Sequence, residues 1–102
     1  MANSLAQVLA EDQRLVVLRL LSEVAGAHLN EDVLRQGLAS VGHQVGRTDV
    51  RAVVQFLERH ALVQVEKLAM PSGELWLVQL TDDGSAVAGG RRHEGIARPT
   101  LR

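Results

Sequence analysis

Between residues 47 and 60 the sequence keeps Val50, Val53, Val54 and Leu57 at helical spacing. That spacing puts Arg47, Thr48, Arg51, Gln55 and Arg59 on the opposite side of the same helix. These residue types suit the reading of base edges in duplex DNA. An arginine fork matches the paired acceptors of guanine, and a glutamine amide matches the donor and acceptor of adenine. A second cationic group closes the chain, where Arg91, Arg92, His93, Arg98 and Arg102 form its densest positive cluster. Such a cluster neutralises phosphates and gives an affinity that falls as salt rises. Each pattern has a plainer explanation. Asp49 and Glu58 share the helix, so residues 43–60 sum to only +1, as a solvated face does. A basic tail also serves as a solubilising end, although Ile96 and Pro99 inside it argue for docking.

Other chemistries lack support. His28, His43, His60 and His93 are far apart and never pair at helical ligand spacing, so no metal is expected. Ser4, Ser22, Ser40, Ser72 and Ser85 have no nucleophile-elbow context, and Gly42 and Gly89-Gly90 are not phosphate loops. The acid pairs Glu11-Asp12, Glu31-Asp32 and Asp82-Asp83 fall at expected helix starts, where negative charge complements the macrodipole. Neither an enzyme nor a cofactor is expected.

The elements that must position these residues fit in one domain. A chain of 102 residues supports a single modest core, and the absence of cysteine removes disulfides and thiolate sites. Hydrophobic residues at 46 % argue for a folded domain. Phe56 and Trp76 are the only aromatics, which weighs against a single-strand binder that stacks bases on rings. No apolar run approaches a membrane span and residues 1–4 lack signal-peptide character, so the expected location is the cytoplasm. The net charge of −1 is uneven: residues 1–90 hold seven Lys/Arg against eleven Asp/Glu, and residues 91–102 hold four Arg against one Glu.

Ser4 with Gln7 reads as a capping box for a short helix through Leu5, Val8 and Leu9. The first main helix is expected at about 11–25, stopped by Gly26. Its apolar positions (Leu15, Val16, Val17, Leu18, Leu20, Leu21, Val24) run nearly all round, as in a central or subunit-facing helix. Asn30 caps a second helix that ends at Gly42. Gly46 or Thr48 caps the third, with Val45 and Val50 as a hydrophobic staple and Asp49 reaching back to the cap. After residue 61 the period drops to two. Residues 62–66 and 75–80 form a hairpin around the turn at 70–74, and Thr81 caps a last helix at 82–88. The expected organisation is an N-terminal helical extension at 1–10, a domain at 11–88 and a flexible basic tail at 89–102.

Two helices, a short glycine-containing turn, a third helix and a β-hairpin follow the order of a winged helix-turn-helix. The stretch Leu57-Glu58-Arg59-His60-Ala61-Leu62-Val63 resembles the passage from recognition helix to first wing strand in that family. Leu80-Thr81-Asp82-Asp83-Gly84 is similar to the Leu-Thr-x-x-Gly step after the wing of many bacterial regulators. The chain also resembles small proteins of Mu-like prophages through Asn30, Gly42-His43, Val50-Arg51 and Gly95-Ile96-x-Arg98-Pro99. One position departs from the regulators: Ala61 stands where glycine is usual.

The resemblance implies an α+β winged helix: a three-helix core, a β-hairpin wing, a short C-terminal helix and a basic tail. It also implies that the third helix enters the major groove with Arg47, Thr48, Arg51, Gln55 and Arg59 outward, and that Arg91, Arg92 and Arg98 add phosphate contacts. Double-stranded DNA is then the expected partner. A homodimer through the N-terminal segment and first helix is expected as well, because most helix-turn-helix readers bind as dimers. The alternative is a protein-interaction module of the same fold, which the near-neutral body favours. The wing, with Lys67 between Glu66 and Glu74, lacks minor-groove arginines.

Overall fold

The computed structural model describes residues 4–99, and among these no helix is long and apolar enough to cross a membrane. Helix α1 spans Leu5–Ser22. Ser4 opens it with a full capping box: the Gln7 N–H donates to Ser4 Oγ at 3.2 Å, and the Ser4 N–H donates to Gln7 Oε1 at 2.9 Å. The separate extension at 1–10 and the helix at 11–25 are therefore corrected to one helix. No glycine or proline interrupts Ala6-Gln7-Val8-Leu9-Ala10-Glu11, so nothing ends the first turns. The C-terminal boundary also falls early. The Glu23 N–H closes on Leu20 O, Val24 is extended, and Gly26 (φ +79°) belongs to a 3-10 turn over Ala25–Ala27.

Strand β1, His28–Asn30, follows that turn and was absent from the expected hairpin. It pairs antiparallel with β3 (Gly73–Leu80) through His28↔Gln79, Leu29↔Val78 and Asn30↔Leu77. On its other side β3 pairs antiparallel with β2 (Val63–Met70), from Val63↔Leu80 to Met70↔Gly73. The sheet order is β1-β3-β2. Only Pro71 and Ser72 lie outside the ladder at the hairpin tip, so both strands are longer than their alternation suggested.

Helix α2 (Glu31–Ser40) starts on Asn30, whose side chain accepts from the Val33 N–H at 2.9 Å. Helix α3 (Arg47–Arg59) starts on Gly46, whose N–H donates to Asp49 Oδ2 at 3.1 Å; this decides between the two candidate caps. At its end Ala61 takes a left-handed φ of +59°, and the Leu62 N–H closes on Leu57 O at 2.9 Å. A residue with a Cβ pays about 1–2 kcal/mol for that conformation, yet the helix still ends at the expected place. Helix α4 (Asp82–Ala88) starts on Thr81, whose hydroxyl accepts from the Gly84 N–H at 3.0 Å.

The core lies between α1, α2, α3 and one face of the sheet. Leu18, Leu21, Leu34, Leu38, Val54, Leu57 and Val78 are fully buried there, with Trp76 and Val87 at its margins. The architecture is α+β: four helices and a three-stranded antiparallel sheet, an arrangement compatible with a winged helix.

The C-terminal segment is the second correction. Ile96 joins the core at 6 % exposure, and the Ala97 N–H donates to Glu11 O at 3.1 Å. Residues 91–97 thus fold back along α1 rather than leave the domain as an arm. Burial of the one large apolar side chain in this segment supplies the reason. Arg102 lies outside the described residues.

Candidate nucleic-acid interface

Helix α3 is amphipathic in the sense its sequence implies. Val50, Val53, Val54 and Leu57 are buried, and Arg47, Thr48, Gln55 and Arg59 are exposed. These four share the outward half of the helix with Glu58. Arg47 is only partly free, because its Nη2 donates to Asp32 Oδ1 at 3.1 Å.

Arg51 sits in a different environment from the other four. Its Nε and Nη2 donate to Glu31 Oε1 and Oε2 at 2.7 and 2.9 Å, a bidentate pair. The same Nη2 reaches Glu74 O at 3.0 Å, and the guanidinium carbon lies 4.7 Å from the Trp76 ring centre. Arg51 therefore ties α3 to α2 and to the hairpin, and most of its donors are already used. The reading of Arg51 as a free base-contacting side chain is corrected on this point.

Glu31 is the residue the sequence reading missed. It was placed in the first turn of a helix as a macrodipole partner, but its side chain is 1 % exposed. The position explains why. Strand β1 pairs with β3 as far as Asn30↔Leu77, and at Glu31 the chain turns into α2. The next donor on β3, the Trp76 N–H, would lose its strand partner; Glu31 Oε2 accepts it instead at 2.8 Å. The hydrogen bond from Arg51 holds the Glu31 carboxyl below the usual carboxylate range against the opposing effect of burial, and the Trp76 N–H and Arg47 add to it. Glu31 in turn raises Arg51 above its ordinary value. The signal in the sequence was too indirect to use, since it required knowing that β1 exists.

The cationic tail residues are dispersed by the fold-back. Arg91 leaves the group and pairs with Asp83 Oδ1 at 3.3 Å. Arg92 and Arg98 are exposed. Beneath them Arg14 Nη1 donates to Gly95 O at 2.8 Å, while its guanidinium carbon stands 3.7 Å from the centre of the Phe56 ring. Phe56 stacks on His60 at 4.3 Å, and His60 meets His93 edge-on at 5.0 Å. This Arg14–Phe56–His60–His93 series joins α1, α3 and the tail, so the end of α3 and the tail arginines lie on one side of the molecule.

His43, between α2 and α3, donates its Nε2–H to Asp12 Oδ2 at 2.7 Å and fixes the inter-helix turn to α1. Among the described residues no three His, Asp or Glu side chains converge as a metal site would need.

Fold and site define a small α+β protein with an open polar helix face beside a β-hairpin. The sequence is similar to the uncharacterized protein gp26 of Escherichia phage Mu, 40 % identical over 96 residues, covering 93 % of this chain and 95 % of that protein. It is also similar to an uncharacterized protein of Haemophilus influenzae, 43 % identical over 65 residues, covering 64 % of this chain and 63 % of that protein. No family model matches the sequence. The chain belongs to the family of the phage Mu protein gp26.

Proposed function

We propose that this protein is a winged-helix protein that binds double-stranded DNA, with α2 and α3 as the helix-turn-helix and β2–β3 as the wing. Helix α3 enters the major groove; Thr48 and Gln55 face base edges, and Arg47 and Arg59 flank them. The observation that carries this reading is the division of labour on α3. Arg51 is spent on fixing the helix to Glu31 and the hairpin, while Arg47, Thr48, Gln55 and Arg59 remain exposed on the helix so fixed. A rigid reading element needs such support, because loosely held side chains discriminate poorly. The role is binding rather than catalysis, in the cytoplasm, as a regulator of transcription or an accessory to phage DNA transactions.

Anisotropy titration of a labelled random duplex at low salt tests this reading. Wild-type protein is expected to bind, with affinity falling linearly on a log–log salt plot. On a selected sequence, Gln55→Ala is expected to lose about 1–3 kcal/mol while random-duplex affinity holds. Absence of random-duplex binding at low salt would leave the second reading, a protein-interaction module. That reading is favoured by the pairing of Arg47 with Asp32 and Arg51 with Glu31, which removes net charge from the face.

The proposal includes a homodimer. Leu5, Val8 and Leu9 are 72, 48 and 42 % exposed along one side of the first turns of α1. Residues 4–10 carry no charge, so a two-fold contact there sets no like charges together. Sedimentation is expected to give a dimer for the wild type and a monomer for Leu9→Glu. Equal masses for both proteins exclude this segment as the interface.

A further inference from the structure

Folding back of the tail creates a surface that neither the tail nor α3 has alone. Arg92, His93, Glu94, Ile96 and Arg98 line a hollow of about 470 Å³. Ile96 lines it and is anchored in the core, so the backbone that carries Arg92 and Arg98 is held in place. His93 meets His60 at the end of α3, one residue from the exposed Arg59. Among the described residues, Glu94 is the one carboxylate lining the hollow. Glu11 lies beside Arg14, and that pair offsets itself.

The anchoring is specific. Gly95 has a φ of +78°, and a Cβ there would stand 2.6 Å from Phe56 Cζ. The Gly95 carbonyl receives Arg14, whose Nε is buried without a hydrogen-bond partner among the described residues. Burying an arginine with one donor unmatched is costly. The fold accepts that cost to hold a segment whose exposed side chains are mainly cationic.

We infer that Arg59, Arg92 and Arg98 form a docked phosphate-binding patch that grips the backbone of duplex DNA beside the reading helix. This rests on the DNA-binding reading above and deepens it. Thr48, Gln55 and Arg59 follow one another along α3 toward its C-terminal end, where His60 meets His93 of the tail, so a duplex read by this row would bring its flanking backbone to the tail. Arginines carried on a docked backbone meet phosphate oxygens without the backbone ordering entropy of a free arm. A disordered tail would contribute the same charges without a defined position.

Gly95→Val separates these cases, because it prevents docking and changes no charge. The readouts are the random-duplex affinity at one fixed low salt and its log–log salt slope for the full chain, with folding checked by circular dichroism. Each phosphate contact contributes about 0.9 to that slope. The paired variant Arg92→Ala/Arg98→Ala is expected to lose about 2 units of slope. Gly95→Val keeps every charge, so its slope is expected to stay near that of wild type while its affinity at one fixed low salt falls about tenfold, the ordering cost of a freed segment. An affinity of folded Gly95→Val equal to wild type at the same salt overturns the docked patch and leaves the DNA reading standing. Should Gly95→Val not fold, Arg14→Leu frees the same segment. For that variant a fall in affinity of more than about threefold at the same salt supports the patch, and a smaller fall overturns it. Absence of wild-type binding overturns the DNA reading itself, and the patch with it.

Discussion

Glu31→Ala is expected to destabilise the protein by about 3 kcal/mol, at the low end for breaking a buried ion pair. In a domain of this size that lowers the thermal midpoint by about 12–20 °C. Two losses combine. The Trp76 N–H, on a buried residue, is left without an acceptor where β1 has already ended. Arg51 loses both oxygens of its partner, although it keeps the Glu74 carbonyl and the Trp76 ring. Because Arg51 is 27 % exposed at its side chain, water recovers part of that loss, which is why the low end applies. Glu31→Gln keeps an acceptor for the Trp76 N–H and is expected to cost about 1–2 kcal/mol.

The same carboxylate sets an acid sensitivity. Its folded-state pKa lies below the ordinary carboxylate value of 4.5, chiefly through the hydrogen bond from Arg51. Stability from a depressed carboxylate is complete above the unfolded pKa and is lost as pH falls through the folded one. The difference in midpoint between wild type and Glu31→Gln is therefore expected to be constant at neutral pH and to shrink as pH falls below 4.5. Denaturant melts at neutral and acid pH measure it. A difference that does not shrink in acid denies Glu31 the role of ionised partner.

Much of the fold was legible because its signals are local. Ser4 with Gln7, Asn30, Gly46 with Asp49, and Thr81 each start a helix through a hydrogen bond to a residue three positions away. The buried row Val50, Val53, Val54, Leu57 followed from periodicity, and it set which side of α3 is open. Features that depend on distant residues were not legible. β1 has three residues, too few for a period-two pattern, and exists because β3 offers a free edge. Glu31 is buried by that pairing, so its role and the capture of Arg51 remained hidden together. The continuity of α1 was missed for another reason: Ser4 signals a start, but nothing marks whether the helix persists beyond its first turns. The tail lies between these cases. Ile96 among arginines hinted at docking, whereas Arg14 and Phe56 as its receivers require the assembled α1–α3 face.

Gly84→Ala is expected to destabilise by about 3 kcal/mol or more, or to prevent folding. The sign makes the prediction diagnostic. Gly84 lies inside α4, where alanine is ordinarily favoured over glycine by about 1 kcal/mol. Packing reverses that preference. A Cβ at Gly84 would fall onto the Leu62 carbonyl oxygen and within 2.8 Å of Leu80 Cδ1. Leu62 O cannot retreat freely, because it accepts the Thr81 N–H at 3.1 Å, while the Thr81 hydroxyl donates to Ala61 O at 2.8 Å. Thr81 thus fastens the start of α4 to the start of β2, and the side-chain-free residue three positions later lets helix and strand touch. This accounts physically for the Leu80-Thr81-x-x-Gly84 spacing. It also connects the end of α3 to α4, since Ala61 and Leu62 follow Arg59 directly. Thermal melts of Gly84→Ala beside the exposed control Ser85→Ala check the claim. The control should shift stability by no more than about 0.5 kcal/mol. If Gly84→Ala instead raises the midpoint, as helix propensity alone dictates, the close approach of α4 to Leu62 does not exist.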